Sequence, residues 1–347
     1  MSGRKVAVIT GANGGLGYAI ACRLLDKIPQ TVPLTIVVST RHMRKAVETI
    51  NKLRKYCPER DLLSFDYVLL DLGSLESVHE VAGQLLERYK HIDYLFLNAG
   101  GGDFAGIDWV GATKEVLKNP IDAMTHPKFK KERIGKVSVD GIGWVFQINI
   151  LANYVLSKRL LPVLSGGGRV IFIGSVEAEI AYPFDEKDMQ LIHTDQAYVD
   201  SKRELEYVHA AIAQKWKAEQ DVLVYMTHPG ICHTAIFADH LNWLTTFGML
   251  FLFYVVRWLG SPWHVIDAYK GAAAPVFAAI EAVPEETADP AETVNYGSAC
   301  DAWGQSYIRR KATGTEEEKK IGDVIVEEME KLSADALQRI NLGETQI

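Results

Sequence analysis

The sequence predicts an α/β fold, a doubly wound parallel sheet with helices on both faces. Short, continuously apolar runs recur between turn signals, as in "KVAVITG" and "RVIFIGS", and each is typical of a strand buried on both faces. Helical patterns separate them, and parallel strands require such crossovers. The predicted strands are residues 5–11, 34–40, 65–72, 94–100, 169–175 and 222–230.

The order of elements predicts one domain over residues 1–347, because no linker-like run divides the chain. Two segments are long for loops of an α/β unit and are interpreted as insertions, 101–145 and 176–197. Both follow the carboxyl end of a predicted strand, where open α/β sheets bind ligands. Residues 311–347 are charged with an apolar stripe and predict a helical tail on the surface. The predicted helices are 15–28, 74–90, 146–164, 198–219 and 269–283, with a last strand at 294–299.

Composition excludes several function classes. A net charge of −7 argues against nucleic acid as a partner, because nucleic-acid readers carry a concentrated basic patch. The four cysteines are scattered without a CxxC pair, so neither a metal site nor a disulfide framework is expected. The N-terminus lacks the apolar run of a signal peptide, which predicts a protein body on the cytosolic side.

A glycine-rich turn follows the first predicted strand in "VAVITGANGGLG". A pyrophosphate reaches the amides of a helix N-terminus only where side chains are absent, so the turn predicts a dinucleotide site. A plain tight turn is the alternative. The candidate cofactor-binding residues here are Thr10, Gly11, Asn13, Gly15, Leu16 and Gly17.

The end of the second strand indicates which dinucleotide binds. Here "IVVSTR" supplies Arg41 and no carboxylate, whereas an enzyme that prefers NAD commonly places an acid there for the ribose hydroxyls. A cation suits a 2′-phosphate, so NADP(H) is the predicted cofactor. The alternative is that Arg41 is only a solvated residue at a helix start.

"YVDSK" places Tyr198 and Lys202 four residues apart on a predicted helix, so both project from one face. A tyrosine is a poor acid–base group at neutral pH, and a nearby ammonium is expected to lower its pKa. The pattern alone is common, and its weight comes from the other motifs.

Together, TGxxxGxG, "NAG" at 98–100, Asp71, a serine ending the fifth strand, the YxxxK pair and "PGICHT" at 229–234 resemble the short-chain dehydrogenase/reductase family, with its Rossmann-type fold. The resemblance implies that Tyr198 donates a proton to a carbonyl oxygen and that Lys202 holds the ribose and lowers the tyrosine pKa. It implies that Ser175 hydrogen-bonds the same oxygen and that Asn149 holds a water of the proton relay. The cofactor residues that it adds are Asp71, Asn98, Tyr198, Lys202, Pro229, Gly230, Ile231 and Thr234.

Two features depart from the family pattern. The family usually has about a dozen residues between the serine and the tyrosine, whereas residues 176–197 intervene here. The usual "NNAG" is "LNAG", which puts Leu97 at a strand position that could be buried. Ser175 is kept as the candidate because the interval contains no other serine.

The segments "FAGIDWVGATKEVLKNP", "FGMLFLFYVVRWLGSPWH", "YKGAAAPVF" and "YGSA" are similar to the fungal 3-keto sterol reductases of ergosterol biosynthesis. This similarity implies reduction of a sterol C3 ketone with NADPH during C4 demethylation, at the endoplasmic reticulum membrane and lipid droplets. It implies the other C4-demethylation enzymes and lanosterol synthase as partners. A reductase of another lipophilic carbonyl, such as a 17-keto steroid or retinal, and an NADP-binding scaffold for a sterol-pathway partner stay open as alternatives.

Residues 235–266 are predicted to form an apolar lid over the substrate that also contacts the membrane surface. The core from Phe247 to Val256 is continuously apolar, but Arg257 and "GSP" end it, so a full crossing is not expected. The run has no polar stripe and must be covered on all sides. Aromatic residues around it favour the membrane interface, which predicts a shallow insertion.

Overall fold

The computed structural model of the protein describes residues 3–232, 243–283 and 293–341. Its ten strands are β1 Lys5–Ile9, β2 Leu34–Thr40, β3 Leu63–Leu69, β4 Tyr94–Leu97, β5 Phe104–Ile107, β6 Lys130–Glu132, β7 Arg169–Ile173, β8 Leu223–His228, β9 Thr293–Cys300 and β10 Ser306–Thr313. The first seven helices are α1 Gly15–Lys27, α2 Met43–Tyr56, α3 Leu75–Arg88, α4 Trp109–Lys118, α5 Pro120–Thr125, α6 Trp144–Phe146 and α7 Ala152–Arg159. The remaining six are α8 Leu161–Leu164, α9 Ala197–Gln220, α10 Trp243–Trp258, α11 Ala268–Gly271, α12 Ala273–Ile280 and α13 Glu316–Asn341.

Eight strands form one sheet in the order β10-β9-β8-β7-β4-β1-β2-β3. All neighbouring pairs from β9 to β3 are parallel, and β10 is antiparallel to β9 at the edge. The chain runs outward from β1 to β3 and then returns to the other side of β1 at β4, which creates the switch point where such sheets bind ligands. The predicted doubly wound α/β fold is confirmed.

Alternation along the strands divides the core into two layers. Val6 and Val8 of β1 face a cluster built with α3, α7, α9 and α13, whereas Ala7 and Ile9 face a cluster built with α1, α2 and α12. Successive side chains of a strand point to opposite faces, so a strand covered on both faces must be apolar throughout. This explains why the strands are continuous apolar runs in the sequence.

The carboxyl-terminal part differs in detail from the prediction. Residues 311–313 belong to β10, and the helix of the charged tail begins at Glu316 rather than at Lys311. Its apolar stripe, with Ile325 and Met329 fully buried, packs on α9 and α3. Helix periodicity located the stripe, but a polar strand at the edge of a sheet carries no apolar signal.

The two long segments both contain secondary structure of their own. Residues 101–145 form the β5–β6 hairpin, α4 and α5, while 176–197 contain two short 3₁₀ helices, Val176–Ile180 and Glu186–Asp188. A short π-helix, Gln147–Leu151, joins α6 to α7. Residues of β5, β6, α4, α5, the first 3₁₀ helix and Gln147–Leu151 line one cleft at the carboxyl ends of the parallel strands.

Candidate active site

A cleft of about 1320 Å³ opens at the carboxyl ends of the strands. One half is lined by the turns after β1, β2, β3 and β4, and the other half by α4, α5, α10 and the long segments. Ser175, Tyr198 and Lys202 lie on its wall between the two halves. Most of the predicted site residues therefore meet in one cavity: Gly11, Asn13, Gly15, Leu16, Arg41, Asp71, Asn98, Pro229, Gly230 and Ile231 line it with that trio.

The glycine-rich turn has a backbone that other residues would not adopt. Gly11 and Gly15 have φ of +65° and +51°, the left-handed region that favours glycine. A Cβ on Gly17 would lie 2.3 Å from the Gly11 carbonyl oxygen and 2.7 Å from Asn98 Nδ2. The turn thus presses α1 closely against β1 and leaves the helix N-terminus uncovered by side chains, an arrangement that fits a dinucleotide pyrophosphate.

Thr10 lies behind the wall of the cleft, at the end of β1. It is fully buried, and its hydroxyl oxygen accepts the backbone N–H groups of Asn98 and Ala99, both at 2.9 Å. Asn98 Nδ2 donates in return to the Thr10 carbonyl at 2.9 Å. Thr10 and Gly17 do not line the cleft. Thr10 ties the ends of β1 and β4 together, and Gly17 allows close packing.

The ends of β2 and β3 carry the residues predicted at the adenosine side. Arg41 is exposed at the rim, directly after the buried Ser39 and Thr40. Asp71 is also exposed, and its Oδ1 accepts the Gly73 N–H at 2.9 Å. Within the part of the chain that the structure describes, no acid forms an ion pair with Arg41, so its guanidinium is a cation at the rim that a ligand could bind.

Tyr198, Ser175 and Lys202 form the chemical centre. Ser175 lies close enough to Tyr198 for its hydroxyl to lower the pKa of the phenol, and Ser175 Oγ accepts the Glu177 N–H at 3.2 Å, which caps the first 3₁₀ helix. Lys202 is buried one helical turn beyond Tyr198, with Nζ 5.6 Å from the tyrosine ring centroid. Lys202 Nζ donates to the Ile173 carbonyl at 3.0 Å, which anchors α9 to the end of β7.

The pKa of Tyr198 departs from the expectation. Burial raises it, the Glu177 carboxylate raises it further, and the Ser175 hydroxyl opposes them. Burial lowers the pKa of Lys202 to about 8. The pKa of Tyr198 is raised overall because the phenol is removed from water and faces carboxylates, and the predicted lowering by Lys202 stays a prediction. Tyr198 is protonated at neutral pH, the form that donates a proton.

Asn149 lies beneath this centre in the short π-helix and is almost fully buried. Its Oδ1 accepts the Gly101 N–H at 2.8 Å, and its Nδ2 donates to the Gly101 carbonyl at 2.8 Å and to Ser201 Oγ at 2.9 Å. Single turns of π-helix are frequent at functional sites. Asn149 fixes the segment after β4, and its predicted hold on a relay water stays a prediction.

The segment after β8 closes the opposite wall. Gly230 has φ of +67°, and a Cβ there would lie 2.7 Å from the Ser298 and Trp263 carbonyl oxygens. The Ile231 N–H donates to the Trp263 carbonyl at 2.6 Å, so this wall is pinned to the chain beyond α10. Thr234, the last predicted cofactor residue, lies outside the described residues.

The long spacing between Ser175 and Tyr198 does not separate them, because Asp200 draws the intervening segment back onto α9. The Asp200 carboxylate accepts the Tyr182 N–H at 2.9 Å, the Thr194 hydroxyl at 2.7 Å and Gln196 Nε2 at 2.9 Å. Ser175 and Tyr198 therefore line the same cleft despite the unusual spacing, and the role of Ser175 stays a prediction. Leu97, the other departure, is buried as expected.

The apolar half of the cleft joins two distant parts of the chain. Its lining comes from α4, α5 and the following turn, and from α10, which packs on α5. The apolar residues on this wall are Ile107, Trp109, Val116, Met124, Pro127, Phe129, Met249, Phe251, Leu252 and Phe253.

Part of the surface of α10 is left exposed by the rest of the chain, and the prediction that this helix is covered on all sides stays a prediction. Phe247, Phe251, Tyr254 and Trp258 are largely exposed, whereas Val256 is fully buried. Across residues 3–232, 243–283 and 293–341, every helix is too short or too polar to cross a bilayer. Residues 235–242 of the predicted lid lie outside the described ranges.

The family model described as short chain dehydrogenase matches residues 5–244, well over half of the chain. The protein belongs to the short-chain dehydrogenase family. As a member of this family it is an oxidoreductase. A 3-keto-steroid reductase from Kluyveromyces lactis is 40% identical over 319 residues, which cover 91% of both chains. The 3-keto-steroid reductase of Candida albicans is 37% identical over 96% of both chains, and that of Saccharomyces cerevisiae is 39% identical over 88% of both.

Solved structures of this short-chain dehydrogenase type share the fold. An alcohol dehydrogenase from Thermococcus sibiricus, complexed with 5-hydroxy-NADP, aligns with a TM-score of 0.54 at 19% identity, over 87% of this chain and 98% of that chain. A 7α-hydroxysteroid dehydrogenase complexed with NADH and 7-oxo glycochenodeoxycholic acid aligns with a TM-score of 0.52 at 18% identity, over 79% and 86%.

Sequence reasoning missed three charged residues beside Tyr198 in this short-chain dehydrogenase. Lys130 and Glu132 come from β6, and Glu177 follows Ser175. Lys130 and Glu177 line the cleft and form an ion pair. These residues are far apart in the chain and match no motif, so only the folded arrangement brings them together.

Proposed function

We propose that this protein is an NADPH-dependent reductase that converts the C3 ketone of a sterol into the 3β-hydroxyl. One observation carries the proposal: a single cleft runs from the glycine-rich turn, past Ser175 and Tyr198, into a long apolar half. A flat, rigid, apolar substrate requires such a groove, with few polar groups at the reacting end. The relatives bearing the name 3-keto-steroid reductase align over most of their length, which supports the same substrate class.

The chain's own residues account for the choice of cofactor. Gly11, Gly15 and the N-terminus of α1 would receive the pyrophosphate, Asn98 and Asp71 lie along the rest of this half, and Ile231 lies on the opposite wall. Arg41 at the rim would bind a 2′-phosphate, since the turn after β2 offers a guanidinium and no carboxylate. When bound, the nicotinamide supplies the hydride.

The protein's part in the chemistry is to bind the ketone oxygen and deliver a proton. The Ser175 and Tyr198 hydroxyls would hydrogen-bond that oxygen and stabilise the negative charge that develops on it. Tyr198 then donates its proton, which its raised pKa keeps in place at neutral pH. Lys202, buried beside the ring, compensates the charge left on the phenolate.

The apolar outer face of α10 supports a membrane-facing role. Phe247, Tyr254 and Trp258 are exposed and lie outside the cleft lining, whereas Phe251 is exposed at the edge of the cleft. Aromatic rings of this kind favour the membrane interface, and shallow insertion would let a sterol enter from the bilayer. The proposed location is the cytosolic face of the endoplasmic reticulum membrane and the lipid droplet.

The sterol we propose is a zymosterone-type ketone left after C4 decarboxylation. The proposed partners are the other enzymes of sterol C4 demethylation in ergosterol synthesis and lanosterol synthase. An affinity purification of tagged protein from membranes, with a detergent-washed control, tests these partners.

The decisive experiment is an assay of purified protein with NADPH and a 3-keto sterol, followed by determination of the configuration at C3. A 3β-alcohol supports the proposal. A panel containing a 17-keto steroid and retinal is run in parallel, and turnover of those ketones without turnover of the sterol would overturn the substrate assignment while leaving the reductase chemistry intact.

A further inference from the structure

The β5–β6 hairpin of the first long segment packs directly on Tyr198. The Phe104 ring of β5 lies 5.7 Å from the tyrosine ring, centroid to centroid. Lys130 Nζ of β6 lies 5.4 Å from the same ring centroid. Glu132, at the end of β6, accepts the Tyr198 backbone N–H on Oε2 at 2.9 Å. One hairpin thus contacts both the ring and the backbone of the proton donor.

The Glu132 carboxylate accepts a hydrogen bond from a backbone N–H in the first turn of α9. Helix α9 begins at Ala197, and the side chain of its N-cap residue Gln196 makes no capping hydrogen bond. The first N–H groups of a helix lack partners within the helix and carry partial positive charge, so a carboxylate there is favourable. Glu132 supplies this cap from another element, at the residue that carries the reactive hydroxyl.

Charged groups from three elements face the Glu132 carboxylate. They are Lys130 on its own strand, Glu177 of the 3₁₀ helix after β7, and Asp200 of α9. The Tyr198 N–H and Lys130 favour the ionised form, whereas burial and the two acids oppose it. Lys130 pairs with Glu177, and the Tyr198 N–H donates a hydrogen bond to Glu132.

We propose that Glu132 is a positioning residue that fixes Tyr198 against Ser175 and Lys202 by capping α9 from the inserted hairpin. The inference rests on the proposed role of Tyr198 as proton donor. It makes the segment 101–145 part of the catalytic apparatus, in addition to its contribution to the apolar groove. It also makes the ionisation of Glu132 a determinant of the pH dependence of turnover.

Two variants separate the cap from the charge. Glu132→Ala removes both and should lower kcat about 10- to 100-fold, because a small displacement of the acid is enough to impair proton transfer. The KM for NADPH should stay within about twofold, since Glu132 contacts no part of the glycine-rich turn. Glu132→Gln keeps an oxygen acceptor and should restore most of kcat. Unchanged kcat in Glu132→Ala, or equal loss in both variants, would overturn the proposal.

The pH profile gives a second readout. Burial raises the pKa of Glu132 to about 7, so its ionisation should give the wild-type kcat an inflection near neutral pH, a small one because a neutral acceptor is expected to keep most of kcat. An inflection of equal size in Glu132→Gln would belong to another group, such as Lys202, and would contradict the inference. Glu179→Gln is the matched control, because this nearby acid pairs with Lys311 and has no hydrogen bond to Tyr198.

Thermal unfolding tests the ionisation without any substrate. A carboxyl whose folded pKa is raised contributes stability below its unfolded pKa of about 4.5 and loses that contribution as the pH rises to about 7. The Tm of the wild type should therefore fall relative to Glu132→Gln between pH 4.5 and 7. A constant difference in Tm would contradict the inference.

Failure of the proposed function is recognised separately. If the wild type reduces another ketone and not the 3-keto sterol, the substrate proposal fails, and the Glu132 series is run with the ketone that is reduced. If Tyr198→Phe retains turnover, the role of Tyr198 fails whatever the Glu132 variants do.

Discussion

The two halves of the cleft are built in different ways. The nucleotide half consists of turns that directly follow β1, β2, β3 and β4, and its critical features are backbone features, such as the positive φ of Gly11 and the absent side chain of Gly17. The apolar half consists of side chains from α4, α5 and α10. Helix α10 lies more than a hundred residues beyond the adjacent helices α4 and α5 in the chain. Tyr198 lies between them and is held by both.

This contrast explains where change is tolerated. A site made of backbone amides at strand ends depends on the sheet itself, so a single Cβ in the wrong place disturbs it. A site made of side chains on added elements can be altered residue by residue while the sheet stays intact. We expect substitutions in the first half to affect cofactor binding and folding, and those in the second half to affect substrate choice and membrane contact.

The largest effect is expected at the residue between the halves. Tyr198→Phe removes the proton donor and keeps the ring, and should lower kcat by about 10²- to 10⁴-fold. The NADPH dissociation constant, measured by fluorescence titration, should be nearly unchanged. Substantial residual turnover would reassign the acid to another residue.

Gly17→Ala tests the backbone character of the nucleotide half. The new Cβ would meet the Gly11 carbonyl oxygen at 2.3 Å, so the free energy of unfolding should fall by about 1–3 kcal/mol and NADPH should bind more weakly. Urea denaturation measures the first effect.

Gly83→Ala in α3 is the matched control for that measurement. A Cβ at Gly83 meets nothing within 4 Å, so the substitution should stabilise the protein by up to about 1 kcal/mol through helix propensity alone. Equal effects of the two alanine substitutions would contradict the close-packing role of Gly17.

Arg41→Ala tests the choice of cofactor. Loss of a charged hydrogen-bond donor to a 2′-phosphate should lower kcat/KM for NADPH about 10-fold or more and leave that for NADH nearly unchanged. Arg44→Ala is the control, since Arg44 is exposed on α2 and pairs with Glu48. A wild-type preference for NADH would remove Arg41 from the cofactor site.

The smallest effect is expected on the outer face of α10. Phe247→Ser should lower partitioning onto phospholipid vesicles about fivefold, because a shallowly inserted ring buries only part of the ~1.5–3 kcal/mol of a full phenylalanine side chain. Turnover of a water-soluble ketone should be unchanged. Trp303→Ser, at an exposed ring in the turn between β9 and β10, should leave partitioning unaffected. Release of the wild type from vesicles by high salt alone would contradict insertion.

Residues of the nucleotide half could be predicted because each lies next to a strand that the sequence pattern locates. The strand before Gly11 and the one before Arg41 are apolar runs, so their carboxyl ends, and the cleft residues that follow, could be placed in advance. Tyr198 and Lys202 were predictable as a pair because helical periodicity fixes their common face.

Other features have no local signal. The strand β10 is polar and pairs only at the edge of the sheet, and its extent was missed in favour of a helix from Lys311. Burial raises the pKa of Tyr198, and the carboxylates of Glu177 and Glu132, which come from different segments, raise it further. A sequence pattern reports which residues share a face of one element, but not which charges converge from several.

The sequence by itself determined the doubly wound sheet, the glycine-rich turn and the Tyr198–Lys202 pair, because each depends on periodicity or conformational preference over a few neighbouring residues. The tertiary structure decided that Glu132 caps α9, that Asp200 draws the long segment back beside Ser175, and that α10 faces the cleft on one side and the exterior on the other. These depend on contacts between distant residues, whose distances are set only when the chain packs around its sheet.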